Sequence, residues 1–204
     1  MAAGFGSVRR FNETFQALYG RAPSELRRRK VGAPGETVRI SLTYRPPYDW
    51  DAILAALAAR GAVDEMVSAG AWTRVLRTDV DGTQGAVSVG PGAAGRLAVE
   101  ARIGQLKALP GVLARVRRVF DLAADPEAIA RDLAADCALK GVIAARPGLR
   151  PPGDWIDAGE DAPSDRLAAR DAGLAERAER WRPWRAYGAL YWNVAKEMHG
   201  EQAA

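Results

Sequence analysis

Cysteine and histidine are nearly missing from this chain: 204 residues contain one of each, Cys137 and His199. A single thiol rules out an intrachain disulfide and points to a reducing compartment. The cysteines of a structural zinc site are lacking, and one histidine in a tail is a poor catalytic base or metal ligand. No metal and no cofactor are therefore expected. Cys137 reads as a small buried side chain. No apolar run approaches the roughly 20 residues of a membrane-spanning helix, and no signal-peptide pattern opens the sequence. These absences predict a cytoplasmic protein with no membrane partner.

What is present suits a globular protein. Hydrophobic residues make up 48% and charged residues 26%, enough for one sizeable core or two small ones. The net charge of +4 is unevenly placed. Residues 1–30 hold seven basic groups (Arg9, Arg10, Arg21, Arg27, Arg28, Arg29 and Lys30) against Glu13 and Glu25, a surplus of five that leaves the rest at −1. Any attraction to a polyanion is concentrated there. A solvated helix end explains the same run.

The organising stretch is Val38–Arg60. Val38, Ile40, Leu42 and Tyr44 alternate with Arg39, Ser41, Thr43 and Arg45, the period of a strand with one buried face. Pro46 and Pro47 cannot continue a hydrogen-bonded ladder. Asp49 can cap a helix whose stripe is Trp50, Ile53, Leu54 and Leu57, and Gly61 ends it. Further strands are predicted over Ala71–Val80, Ala86–Val89 and Arg96–Ala101, with a hairpin signal at Asp81-Gly82. Short turns between neighbouring strands imply an antiparallel sheet. Helices follow at Pro110–Phe120, with Val112, Val116, Val119 and Phe120 inward, after the Asp125-Pro126 cap with Ile129 and Leu133 buried, and within 137–150. The fold class is α+β, an antiparallel sheet with packed helices.

The run LTYRPPYDWDAILAALAAR, with PGLRPPGDW and AERAERWRPWRAYGALYWN further on, resembles AlkA-type DNA-3-methyladenine glycosylases. These are helix-hairpin-helix enzymes that excise alkylated bases. Residues 37–150 resemble their N-terminal α+β domain, and 151–204 resemble the two ends of their glycosylase domain with its central helices removed. In the family those helices carry the duplex wedge, part of the base pocket and a phosphate-gripping hairpin. GFGSVRRFNETFQALYGRAPSELRRR resembles the end of an AraC-type helix-turn-helix, as in Ada-type alkylation-response proteins. Residues 1–30 form this remnant, and 31–36 read as a linker. By that resemblance Ser7, Arg9, Arg10 and Asn12 face a major groove, and Arg27, Arg28 and Arg29 add phosphate attraction.

The resemblance aligns the family's catalytic aspartate with Asp165. Breaking an N-glycosidic bond builds positive charge on the deoxyribose, and an ionised carboxylate beside it stabilises that charge. Ser164 and Asp165 also read as ordinary caps of a helix over Arg166–Arg170. Trp192 resembles a base-pocket aromatic but stands one residue early, a turn of roughly 100° on a helix. In the marker Trp181–Tyr187, Pro183 is expected to open the last helix, with Trp181, Trp184 and Tyr187 inward. The implied partner is double-stranded DNA with alkylated bases, bound by a monomer near the nucleoid. The implied function is repair by glycosylase chemistry, impaired by the missing helices. The alternatives are a non-catalytic DNA-binding or regulatory module of the alkylation response and an inactive remnant.

Overall fold

The computed structural model describes residues 37–77, 84–155 and 172–201. Contacts divide the chain into two units. One runs to Thr43 and resumes over Ala62–Leu113; the other comprises Tyr44–Gly61 and the chain from Ala114 onward.

The first unit is a sheet. Among the described residues five strands form it: β1 Thr37–Thr43, β2 Glu65–Ser68, β3 Ala71–Arg77, β4 Gln84–Pro91 and β5 Arg96–Arg102. Their order is β1-β5-β4-β3-β2, with antiparallel neighbours throughout. Alternation in the sequence becomes register. Ile40 pairs with Val99 and Leu42 with Leu97, and Val89 lies between Val99 and Trp72. All six are buried, as are Val87 and Ala101 in line with them. Arg39 and Glu100 pair on the opposite face, Nε to Oε1 at 2.6 Å. A slip of one residue would exchange these faces, so the apolar pattern fixes the pairing.

Strand β2 was not foreseen. It is four residues long and joins β3 through Ala69 and Gly70, at φ 50° and 72°. A two-residue hairpin of the primed type requires positive φ at both positions. Alanine is an uncommon occupant, which hides the signal. Glu65 anchors the strand from within: its carboxylate accepts from Arg74 at 2.5 Å and from the Trp72 indole at 3.2 Å. Strand β3 is described over Ala71–Arg77; the rest of the strand expected to Val80 and the Asp81-Gly82 turn lie outside the described residues.

A 3-10 turn at Leu106–Ala108 leads into a helix over Leu109–Val119, which carries the chain from the first unit into the second. Among the described residues the helices, in chain order, are α1 Trp50–Arg60, α2 Leu109–Val119, α3 Pro126–Leu133, α4 Cys137–Ala145, α5 Ala172–Glu179 and α6 Arg185–Glu201. Short acidic side chains start three of them. Asp49, Asp125 and Asp136 accept from the N–H groups of Ala52, Ala128 and Ala138 at 2.9, 3.2 and 3.1 Å, satisfying donors that have no partner within the helix. Gly61 closes α1 in the left-handed region.

The second unit has its own core. Ile129 and Leu133 of α3, Leu139, Val142 and Ile143 of α4, and Leu174 and Ala178 of α5 cluster with Trp181 and with Tyr187, Ala189, Tyr191 and Ala195 at the chain's end. Two expectations need correction. Cys137 is exposed, because it is the first residue of α4, next to a capping aspartate rather than on the stripe through Leu139, Val142 and Ile143. Pro183 does not open the last helix. It sits in a turn where the Trp184 N–H meets the Trp181 carbonyl at 2.6 Å, and α6 begins at Arg185. Trp181 and Tyr187 are buried, whereas Trp184 is half-buried and donates its indole N–H to Asp132 at 2.9 Å.

Candidate functional site

Three motifs that stand far apart in the sequence meet at one polar corner of the second unit. The Pro-Pro corner leaves backbone carbonyls with no strand partner, and such carbonyls take donors from elsewhere. Arg150, 3% exposed, supplies them: its Nη2 donates to the carbonyls of Arg45 and Pro47 at 3.1 and 3.2 Å. Its guanidinium also stands 5.4 Å from the Tyr48 ring. The Tyr48 hydroxyl donates to the Phe120 carbonyl at 2.7 Å, and the Asp49 N–H donates to the Gly148 carbonyl at 2.8 Å. The Asp49 carboxylate, besides capping α1, accepts from Arg146 at 2.5 Å. Tyr187 donates its hydroxyl to Asp121, a non-glycine residue at φ 45°.

Burial raises the Asp121 carboxyl above the usual carboxylate range, although the Tyr187 hydroxyl and Arg150 pull it back. Burial likewise pushes the phenols of Tyr48 and Tyr187 upward, and that of Tyr191 to about 12. These phenols stay protonated, and those of Tyr48 and Tyr187 donate hydrogen bonds. Most polar groups of this corner are spent on one another, although the buried Arg150 Nε has no hydrogen-bond partner, so the conspicuous Tyr-Arg-Pro-Pro-Tyr-Asp-Trp run braces the fold.

A second constellation lies along α6. Trp192 is half-buried, with the Arg177 guanidinium 4.1 Å from its ring centroid. The Trp181 ring lies 6.4 Å away at 45°, and the Lys196 ammonium 5.7 Å away. Arg177 is held in turn by Asp136, through Nε at 3.1 Å and Nη2 at 2.8 Å. The same carboxylate accepts the Trp181 indole N–H at 3.0 Å. Burial alone would raise the Asp136 carboxyl; the hydrogen bonds from Arg177 and Trp181 outweigh it and hold the group below its ordinary value. Beside Trp192 a hollow of about 570 Å³ opens between α4 and α6.

Of the residues singled out from the sequence, Trp192 alone falls within the described residues. Asp165, Ser7, Arg9, Arg10, Asn12, Arg27, Arg28 and Arg29 lie outside them. Sequence reasoning missed Asp136 and Arg177. The former carried a legible signal, a capping residue just before an apolar helix. The latter stands 41 positions away, and only the folded chain brings the two together.

An antiparallel sheet in one unit and capped helices with a proline-rich corner in the other define an α+β protein. The chain belongs to the AlkA N-terminal domain family, whose model matches residues 39–156. It is also similar to the probable bifunctional transcriptional activator/DNA repair enzyme AlkA of Mycobacterium tuberculosis, strains CDC 1551 and H37Rv. Each is 34% identical over 194 residues, which cover 92% of this chain. The chain spans 38% of the length of those relatives. Among solved structures, a 3-methyladenine DNA glycosylase from Archaeoglobus fulgidus superposes with a TM-score of 0.46 at 14% identity, covering 76% of this chain and 66% of that one.

Proposed function

We propose that this chain is a DNA repair protein of the DNA-3-methyladenine glycosylase II type. In this reading it associates with double-stranded DNA carrying alkylated purines but is impaired in hydrolysing their N-glycosidic bonds. Residues 1–30 supply the DNA contacts, through Ser7, Arg9, Arg10, Asn12 and Arg27–Arg29, and Asp165 is the residual catalytic carboxylate. The protein acts as a monomer in the cytoplasm, close to the nucleoid.

One observation carries the impairment. The aromatic surface of Trp192 is taken by Arg177 at 4.1 Å, and Asp136 clamps that guanidinium from behind. An extruded base must be stacked and enclosed to repay the few kcal/mol, roughly, that unstacking it costs. A tryptophan already covered by an internal cation offers that base one face fewer.

The test is incubation of excess protein with duplex DNA containing 3-methyladenine or hypoxanthine, followed by alkaline cleavage at abasic sites, with Asp165→Asn alongside. The expected result is little product from either protein, together with salt-sensitive DNA retention that falls when residues 1–30 are removed. Efficient turnover by the wild type, abolished in Asp165→Asn, would overturn the impairment. Retention unchanged without residues 1–30 would overturn the assigned contacts.

A further inference from the structure

The core-facing side of the sheet is buried; the other side is exposed along β5, where Arg96, Ala98, Glu100 and Arg102 alternate with buried residues. Register sets β1 beside them, with Thr43 opposite Arg96, Ser41 opposite Ala98, Arg39 opposite Glu100 and Thr37 opposite Arg102. Glu100 is the one carboxylate on this half of the face, and Arg39 already pairs with it. Arg96 and Arg102 are exposed, and among the described residues neither side chain forms an ion pair or hydrogen bond. The half-face thus carries a surplus of two positive charges, in a chain whose residues 31–204 together stand at −1.

Spacing and chemistry choose the ligand. Arg96 and Arg102 stand six residues apart on one strand, about 20 Å at roughly 3.4 Å per residue. No single small anion spans that distance, so the complement is a polyanion. A duplex presents one phosphate about every 3.4 Å of axis along each strand, and the two arginines match phosphates about six base pairs apart. Arginine and hydroxyl side chains are the groups that hold phosphate oxygens, and each free arginine has a threonine beside it. Between them Ser41 and Ala98 are small enough to let a sugar-phosphate backbone come close. We infer that this half of the sheet is a second contact surface for double-stranded DNA, with Arg96 and Arg102 each neutralising one backbone phosphate. The contact reads no base and adds to that of residues 1–30. It rests on the proposal above that the chain associates with DNA.

The test is fluorescence anisotropy of an undamaged duplex of about 20 base pairs with the full chain, repeated across a salt series. The double variant Arg96→Gln/Arg102→Gln should bind roughly tenfold more weakly at low salt, and its slope of log affinity against log salt should be shallower by about two. The comparison variant Arg131→Gln/Lys140→Gln removes the same charge from exposed positions of α3 and α4 and should keep the wild-type slope. All four positions are exposed, so both variants should melt with the wild type. Wild-type affinity and slope in the Arg96/Arg102 variant overturn this surface and leave association through residues 1–30 standing. Equal weakening in the comparison variant also overturns it, because net charge alone then accounts for the loss. Absence of duplex binding by the wild type overturns the functional reading and this inference together. Tighter binding of poly-L-glutamate than of the duplex, at equal charge, overturns DNA as the partner in favour of an acidic protein.

Discussion

Asp136 ties three segments together, and its removal should be costly for reasons that can be worked group by group. Its carboxylate caps α4, chelates Arg177 of α5 and accepts the indole N–H of Trp181. Loss of the cap in Asp136→Ala costs about 1 kcal/mol. Trp181 is 3% exposed, so its orphaned indole N–H adds about 1–3 kcal/mol. Arg177 keeps 28% of its side chain in solvent and can rehydrate, so the lost pair contributes under about 1 kcal/mol. The total is about 3 kcal/mol, discounted for overlap among neighbouring groups. With a urea m-value of about 2 kcal/mol/M, the unfolding midpoint followed by far-UV circular dichroism should fall by about 1.5 M. Asp132→Ala provides the contrast. That carboxylate also accepts a tryptophan indole, from Trp184, but on an exposed surface, and its midpoint should scarcely move. The sign of the pH effect follows from the lowered Asp136 carboxyl. A depressed folded-state pKa adds stability that is complete above the unfolded value near 3.9 and is lost as pH falls through the folded one. Asp136→Asn should therefore flatten the acid limb of the stability profile. Equal midpoints for the Asp136 and Asp132 variants would refute the reasoning.

Two glycines in helices should respond in opposite directions. Gly188→Ala places a Cβ 2.3 Å from the Trp181 ring and should destabilise by about 3 kcal/mol, whereas Gly141→Ala meets open space and should stabilise by about 0.5–1 kcal/mol; thermal melts with the order reversed would contradict this. Asp121 titrates above its unfolded value, so wild-type stability should fall as pH rises from about 4 through the folded pKa. Asp121→Asn removes that fall and suits the left-handed backbone at φ 45°; denaturation midpoints that decline in parallel for both proteins across the window would count against it.

The sheet was legible because Ile40, Leu42, Leu97 and Val99 keep strict alternation, and register follows from alternation. Two helix starts were legible because Asp49 and Asp125 sit directly before apolar periodicity; Asp136 carries the same signal before its helix but was passed over. Strand β2 was not, since four residues give too short a window and Ala69 masks the turn. The polar corner was half legible. The run from Tyr44 to Trp50 stood out as unusual, but its holder, Arg150, is about a hundred residues away. Nothing local distinguishes that arginine from Arg146. Cys137 misled because composition treats cysteine as a core residue, while the capping geometry next to it points the first helical position outward.

The place of β1 at the sheet's edge bears on how the chain is made. Strands β2 to β5 form a meander of neighbours, which can zip through short turns as they leave the ribosome. Strand β1 emerges first but must wait for β5, about sixty positions later, as the Arg39–Glu100 bond marks. Contacts so distant carry the loop-closure entropy that slows folding. Amide protection during refolding should therefore reach β1 after the meander, and its earlier appearance there would contradict this order. Until β5 arrives, Val38, Ile40 and Leu42 form an unpaired apolar segment of the nascent chain, a place where a chaperone would act.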